Sequence, residues 1–132
     1  MSDLTAKTRS ALDAAVAAIG GASRKGQIEM AEAVSSALTD RHHLMVQAGT
    51  GTGKSLAYLI PALVHGRKVL IATATLALQR QLVERDLPAV VPALEKELGR
   101  EVSYAIYKGV GNYICLQKMN SEVVDPDHEI VL

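Results

Sequence analysis

Three glycines within five residues, followed at once by a lysine and a serine, constrain this chain more than anything else in it. The run Ala48-Gly49-Thr50-Gly51-Thr52-Gly53-Lys54-Ser55 fits the phosphate-loop pattern G-x-x-x-x-G-K-[ST], with Ala48 in the first position. Ala48 carries a Cβ, so it must avoid positive φ. The glycines let successive backbone N–H groups curl close around a phosphate. A helix beginning at the end of the loop adds the partial positive charge of its N-terminus. Lys54 then supplies a point charge to the β- and γ-phosphates, and the Ser55 hydroxyl a ligand to Mg²⁺. The loop by itself does not separate ATP from GTP.

The flanks suit such a loop. Leu44-Met45-Val46 is a short apolar run bounded by turn signals, as a buried parallel strand would be. Residues 54–64 read as a helix, with Pro61 inside it removing the hydrogen bond to the Ala57 carbonyl, so a kink is expected. Gly66 stops it. Val69-Leu70-Ile71-Ala72 reads as a second buried strand. A helix over 76–85 follows, capped by Thr73 or Thr75 and terminated by Pro88. Residues 92–98 form a short helix closed by Gly99, and 101–107 alternate as a third strand. Ahead of the loop, two helices are expected. The first buries Leu4, Leu12, Ala15, Val16 and Ile19 and ends at Gly20-Gly21. After a turn at Ser23-Arg24-Lys25-Gly26, the second buries Ile28, Ala31, Val34 and Leu38. Strands alternating with helices imply a parallel sheet covered on both faces and joined by right-handed crossovers.

Composition narrows the class without choosing a function. Formal net charge is zero, but residues 122–132 hold four acids and no Lys or Arg, leaving 14 basic against 10 acidic residues before them. That mild bias is compatible with nucleic acid and is not evidence for it. The chain holds four tyrosines and no Phe or Trp, so its core must be aliphatic. The single cysteine, Cys115, excludes an intramolecular disulfide. No stretch of 18 apolar residues is present, and the N-terminus has no apolar core of the kind signal peptides carry. A soluble, cytoplasmic protein with no membrane partner is the expectation.

Three further candidates stand beside the loop. Gln27 lies 21 residues before Ala48; its amide could accept from adenine N6 and donate to N7, a match guanine refuses. It could equally be a solvated side chain on the second helix. Thr73, Thr75 and Gln79 fall where a parallel strand ends and a helix begins, a place where α/β sheets meet ligands. Hydroxyls and helix-start N–H groups there suit a nucleic-acid phosphate, or the threonines simply cap the helix. Cys115 is a small buried hydrophobe or a metal ligand, and a cluster ligand needs company. His42 and His43 have no partner at ligand spacing and read as loop residues.

Taken together, Arg24-x-x-Gln27-x-x-Met30, the loop with Leu56-Ala57-Tyr58-Leu59-Ile60-Pro61-Ala62, Thr73-Ala74-Thr75, and Lys108-Gly109-x-x-Asn112-Tyr113-x-Cys115 resemble the DinG/XPD-like branch of superfamily 2 helicases. The resemblance covers about residues 20 to 120. It implies a RecA-like three-layer α/β sandwich, incomplete here, as the first part of helicase motor domain 1. Residues 1–22 would be an N-terminal helix and 23–107 the partial motor domain. Residues 108–132 would begin an iron–sulfur insertion and end in an acidic tail. By that resemblance Gln27 reads adenine, residues 48–55 hold ATP, and Ser55 holds Mg²⁺. Thr73, Thr75 and Gln79 contact single-stranded DNA, and Cys115 is one ligand of a [4Fe–4S] cluster if three further cysteines lie downstream. The implied activity is ATP-driven 5′–3′ translocation on single-stranded DNA, in repair or a related process.

The Asp-Glu-x-His box of that family, the other three cysteines and the second RecA-like domain of the same polypeptide are absent from these 132 residues. Weak nucleotide binding and negligible turnover are therefore expected of the chain alone. Two other readings are carried: a truncated, non-catalytic nucleotide-binding fragment, and a small P-loop kinase, which would want an arginine-rich lid not evident after Gly53.

Overall fold

Small side chains decide how the helices meet. The computed structural model describes residues 3–49 and 51–120; Thr50 and the acidic tail lie outside them. Helix α1 (Asp3–Ala18) buries Thr8, Ala11, Leu12, Ala15 and Val16. Helix α2 (Lys25–Asp40) buries Gln27, Ala31, Ser35 and Ala37. Four of these are alanines, so α1 and α2 can approach closely, and the Thr8 hydroxyl donates to Ser35 Oγ at 3.2 Å inside the contact. This corrects two expectations. Val34 and Leu38, expected on the buried stripe, are only partly buried, because the polar line Gln27–Ala31–Ser35 takes the inner face. Ile19, expected in the core, is 52% exposed because α1 has already ended.

Helix α3 (Lys54–His65) continues past the position of Pro61, which is fully buried. Gly66, at φ 73°, stops it in the left-handed conformation that glycine adopts at little cost. The Arg100 guanidinium then donates to the Leu63 carbonyl at the open end of the helix. Helix α1 packs on α2, α3 and a fifth helix described below. Ala11, Leu12, Ala15, Ala57, Ile60, Val90 and Leu94 close the main core with essentially no exposure.

Pro88 does not terminate the helix before it, as the sequence suggests. Helix α4 (Leu76–Gln81) passes into a π turn (Leu82–Asp86) and then into α5 (Leu87–Leu98). In the π turn the Leu87 N–H reaches back five residues to the Leu82 carbonyl. Pro88, which has no N–H to offer, sits where that wider spacing gives way to the ordinary one, at the first turn of α5, where proline is tolerated. Gly99 closes α5 at φ 64°. A short helix α6 (Leu116–Asn120), not anticipated from the sequence, follows a 3₁₀ turn (Val110–Asn112).

The expected sheet is not formed among the described residues. Residues 44–46, 69–72 and 101–107 carry no strand ladder. Apart from Val102, which is buried, their apolar side chains stand largely in the open: Met45 is 98% and Leu70 88% exposed. A strand rich in aliphatic residues is stable when neighbours pair its backbone and cover its faces, and here neither condition is met. Residues 66–71 and 100–107 instead border, with α3 and the π turn, a groove of about 610 Å³. No described helix is long and apolar enough to cross a membrane.

Candidate functional site

The phosphate loop is held by side chains from two directions. Gly51 and Gly53 both lie at positive φ, 73° and 77°, a region in which any Cβ would be strained. Gly53 is the N-cap of α3, and its carbonyl accepts the Ala57 N–H at 3.2 Å, the first bond of the helix. The Thr52 hydroxyl donates to the Gly49 carbonyl at 2.9 Å, and Lys54 Nζ crosses the loop to the Ala48 carbonyl at 3.0 Å. Lys54 and Ser55 are half-buried in the first turn of α3. The loop thus presents a lysine ammonium, a serine hydroxyl and the unpaired N–H groups of a helix start in one place, the chemistry a polyphosphate requires.

Gln27 and Arg24 meet the loop from the start of α2. Gln27 is 6% exposed, and its Nε2 donates to the Gly53 carbonyl at 3.1 Å. It is therefore neither a solvated surface residue nor an amide open to a base. A Cβ on Gly53 would fall inside the Gln27 amide, so Gly53 is required both by its φ and by this close approach. Arg24 occupies the N-cap position of α2 without capping it; its Nη1 donates to the Gly51 carbonyl at 2.6 Å. Sequence reasoning placed Arg24 in a turn and assigned it no role, although it is one helical turn from Gln27 and shares its face.

The second group lies apart from the loop. Thr75, at φ −134°, caps α4, accepting the Leu78 N–H at 3.2 Å on its hydroxyl. The Thr73 hydroxyl donates to the Thr75 carbonyl, and Gln79 Nε2 to the Tyr107 carbonyl, at 3.2 and 3.1 Å. The three residues do come together, lining a groove of about 350 Å³ with Tyr107, Lys108 and Gly109. Lys108, a cation there, figures in the sequence only as the start of the run ending at Cys115, with no role of its own. The cap is expected to matter structurally: Thr75→Ala should lower stability by about 1 kcal/mol and Thr75→Ser should restore most of it. Thr73→Ala, which removes only an exposed bond, should stay within about 0.5 kcal/mol. Urea unfolding of the three variants measures this; equal effects of Thr73→Ala and Thr75→Ala would refute the cap assignment.

Cys115 is exposed and free. A [4Fe–4S] cluster takes four thiolates, the chain holds one, and no grouping of three or more His, Cys, Asp or Glu side chains exists among the described residues. By themselves these residues do not make a cluster site; Cys115 would serve as a ligand only beside three thiolates from outside them. A single hydroxyl at Ser55 does fit Mg²⁺, which characteristically takes few protein ligands and completes its shell with water and substrate phosphates.

Residues 13–122 match the family profile described as DEAD/DEAH box helicase. The chain is similar to the ATP-dependent helicase DinG of Mycobacterium tuberculosis, 53% identical over 119 residues, which cover 87% of this chain and 18% of that protein. It is also similar to the ATP-dependent DNA helicase YoaA of Haemophilus influenzae, at 45% over 100 residues, 76% of this chain and 15% of that one. A third relative, the 3′-5′ exonuclease DinG of Bacillus subtilis, is 35% identical over 108 residues, 79% of this chain and 11% of that one. The chain thus spans less than a fifth of the length of these relatives. No solved structure matches it.

Proposed function

The chain belongs to the DEAD/DEAH box helicase family, and from that premise we propose that it is the nucleotide-binding portion of an ATP-dependent DNA helicase acting on single-stranded DNA. The observation that carries the proposal is the loop at residues 48–55, with Lys54 and Ser55 presented at the start of α3. Family membership brings with it the RecA-like P-loop fold. The parallel three-layer sandwich is the further step, in which residues 44–46, 69–72 and 101–107 become strands once their open faces are paired and covered. The division into an N-terminal helix (1–22), a partial motor domain (23–107) and the start of an insertion with its tail (108–132) belongs to the same proposal.

In this reading Lys54 leaves the Ala48 carbonyl for the β- and γ-phosphates, exchanging a neutral acceptor for an anionic one. Ser55 holds Mg²⁺, which supplies charge neutralisation at the phosphates. Residues 48, 49 and 51–53 wrap the phosphates with backbone N–H groups; Thr50, assigned to the same loop from the sequence, lies outside the described residues. Gln27 reads adenine by giving up its bond to Gly53 and turning its amide to the base. Thr73, Thr75 and Gln79 border the groove assigned to the DNA strand, with Lys108 adding a positive charge at its edge. Turnover needs groups that orient water and stabilise the transferred phosphoryl, and nothing among the described residues supplies them. Nor do these residues gather the carboxylates of a two-metal nuclease, so the exonuclease named in one relative finds no support in this stretch.

The experiment is thermal unfolding with and without nucleotide. Mg-ATP at about one hundred times its Kd should stabilise the chain by about 2.7 kcal/mol, seen as a raised midpoint, and inorganic tripolyphosphate should act in the same direction. An unchanged midpoint at saturating Mg-ATP would remove the nucleotide-binding reading.

A further inference from the structure

The N-cap of a helix is ordinarily a Ser, Thr, Asp or Asn whose side chain satisfies one of the first N–H groups. Arg24 stands at the N-cap of α2 in an extended conformation and makes no such bond. Its guanidinium is directed instead across 27 residues of sequence to the Gly51 carbonyl, at 2.6 Å. One turn further along α2, Gln27 donates to the Gly53 carbonyl. Two side chains on one helix face therefore grip alternate carbonyls of the phosphate loop.

The first of these grips has a consequence for the loop's donors. Among the described residues every peptide bond is trans, and in a planar trans peptide the C=O and the following N–H point in opposite directions. Holding the Gly51 carbonyl toward α2 therefore turns the Thr52 N–H away from α2. Gly51 lies at φ 73° with open space where a Cβ would be, and as a glycine it adds no side-chain barrier of its own to rotation of that peptide. Rotated, the peptide would present a carbonyl oxygen to an anion instead of a donor. Gln27 does not guard this peptide, since its bond is to the next carbonyl but one.

We propose that Arg24 is a positioning residue for the polyphosphate: by fixing the Gly51–Thr52 peptide it keeps the Thr52 N–H facing the bound phosphate. This rests on the nucleotide-binding reading above. Arg24 acts through the loop and makes no contact with the base. Its loss is therefore felt equally by a nucleotide and by a phosphate chain carrying no base.

The test is calorimetric binding of Mg-ATP and of Mg-tripolyphosphate to the full chain, to Arg24→Met and to Arg24→Lys, with Lys54→Ala as reference. Arg24 is exposed, and each variant's unfolding midpoint without ligand is checked against that of the parent chain. Arg24→Met is expected to raise both Kd values by the same factor, on the order of tenfold, consistent with loss of one charge-assisted hydrogen bond. Arg24→Lys, which keeps a charged donor, is expected to recover part of that loss for both ligands. A loss confined to Mg-ATP would overturn the proposal in favour of a contact with the base. Affinities within twofold of the parent for both ligands would overturn it outright, while leaving the nucleotide reading intact if Lys54→Ala still abolishes binding. Absence of binding by the parent chain would overturn both.

Discussion

Lys54→Ala is expected to raise the Kd for Mg-ATP by roughly thirty-fold or more, the consequence of removing one member of a close charge pair worth about 2–5 kcal/mol. The structure gives the reason for so large a value. Lys54 is half-buried at the start of α3, and its ammonium already reaches over the loop to the Ala48 carbonyl. The side chain thus spans the loop before any nucleotide arrives, and little rotamer entropy remains to be lost when phosphate replaces the carbonyl. Lys54→Arg should not restore binding, because a planar fork differs from a compact ammonium in the geometry it demands. Isothermal titration with Mg-ATP measures both variants. A Kd within threefold of the parent for Lys54→Ala would mean that Lys54 is not the phosphate-binding lysine.

Gly53→Ala should destabilise the fold itself, by about 2–5 kcal/mol. Two costs combine. A non-glycine residue in the left-handed region costs about 1–2 kcal/mol, and Gly53 lies at φ 77°. The added methyl would also overlap the Gln27 amide, which is buried against it, and overpacking typically adds about 1–3 kcal/mol. Gly51→Ala separates the two, since Gly51 shares the positive φ but faces open space. It should show the conformational cost alone. Combining Gln27→Ala with Gly53→Ala should return the steric part, so the double variant should be less destabilised than the sum of the singles. Denaturant unfolding of the four proteins closes the cycle. Equal effects of Gly51→Ala and Gly53→Ala would show that the Gln27 contact is not a constraint on the loop.

The phosphate loop, the first three helices and the glycine stops of α3 and α5 are readable in the residues because each rests on local chemistry. Gly66 and Gly99 end helices by a conformation that few other residues adopt, and both are visible without any tertiary information. Lys54 and Ser55 follow from spacing alone. The parts that elude the sequence depend on partners distant along the chain. Arg24 resembles any turn residue until Gly51, 27 positions later, is seen beside it. Val34 and Leu38 satisfy a helical stripe, but the alanines and hydroxyls of α1 select a neighbouring face of α2. Pro88 carries the usual mark of a helix end, and only a change in hydrogen-bond spacing lets the helix pass it. The expected strands have the right composition, but composition does not supply the ladder.

That same change of spacing has an angular meaning. Each residue advances an α-helix by about 100°, so one surplus residue in the π turn sets the two halves of the run Leu76–Leu98 out of phase. Upstream, Leu78 and Leu82 meet Leu59. Downstream, Val90 and Leu94 enter the main core shared with α1. Removal of a single residue between 82 and 86 would yield a more regular helix and a worse protein. The downstream apolar face would swing about 100° out of line with α1, and the core would register a shortening of one residue as a rotation.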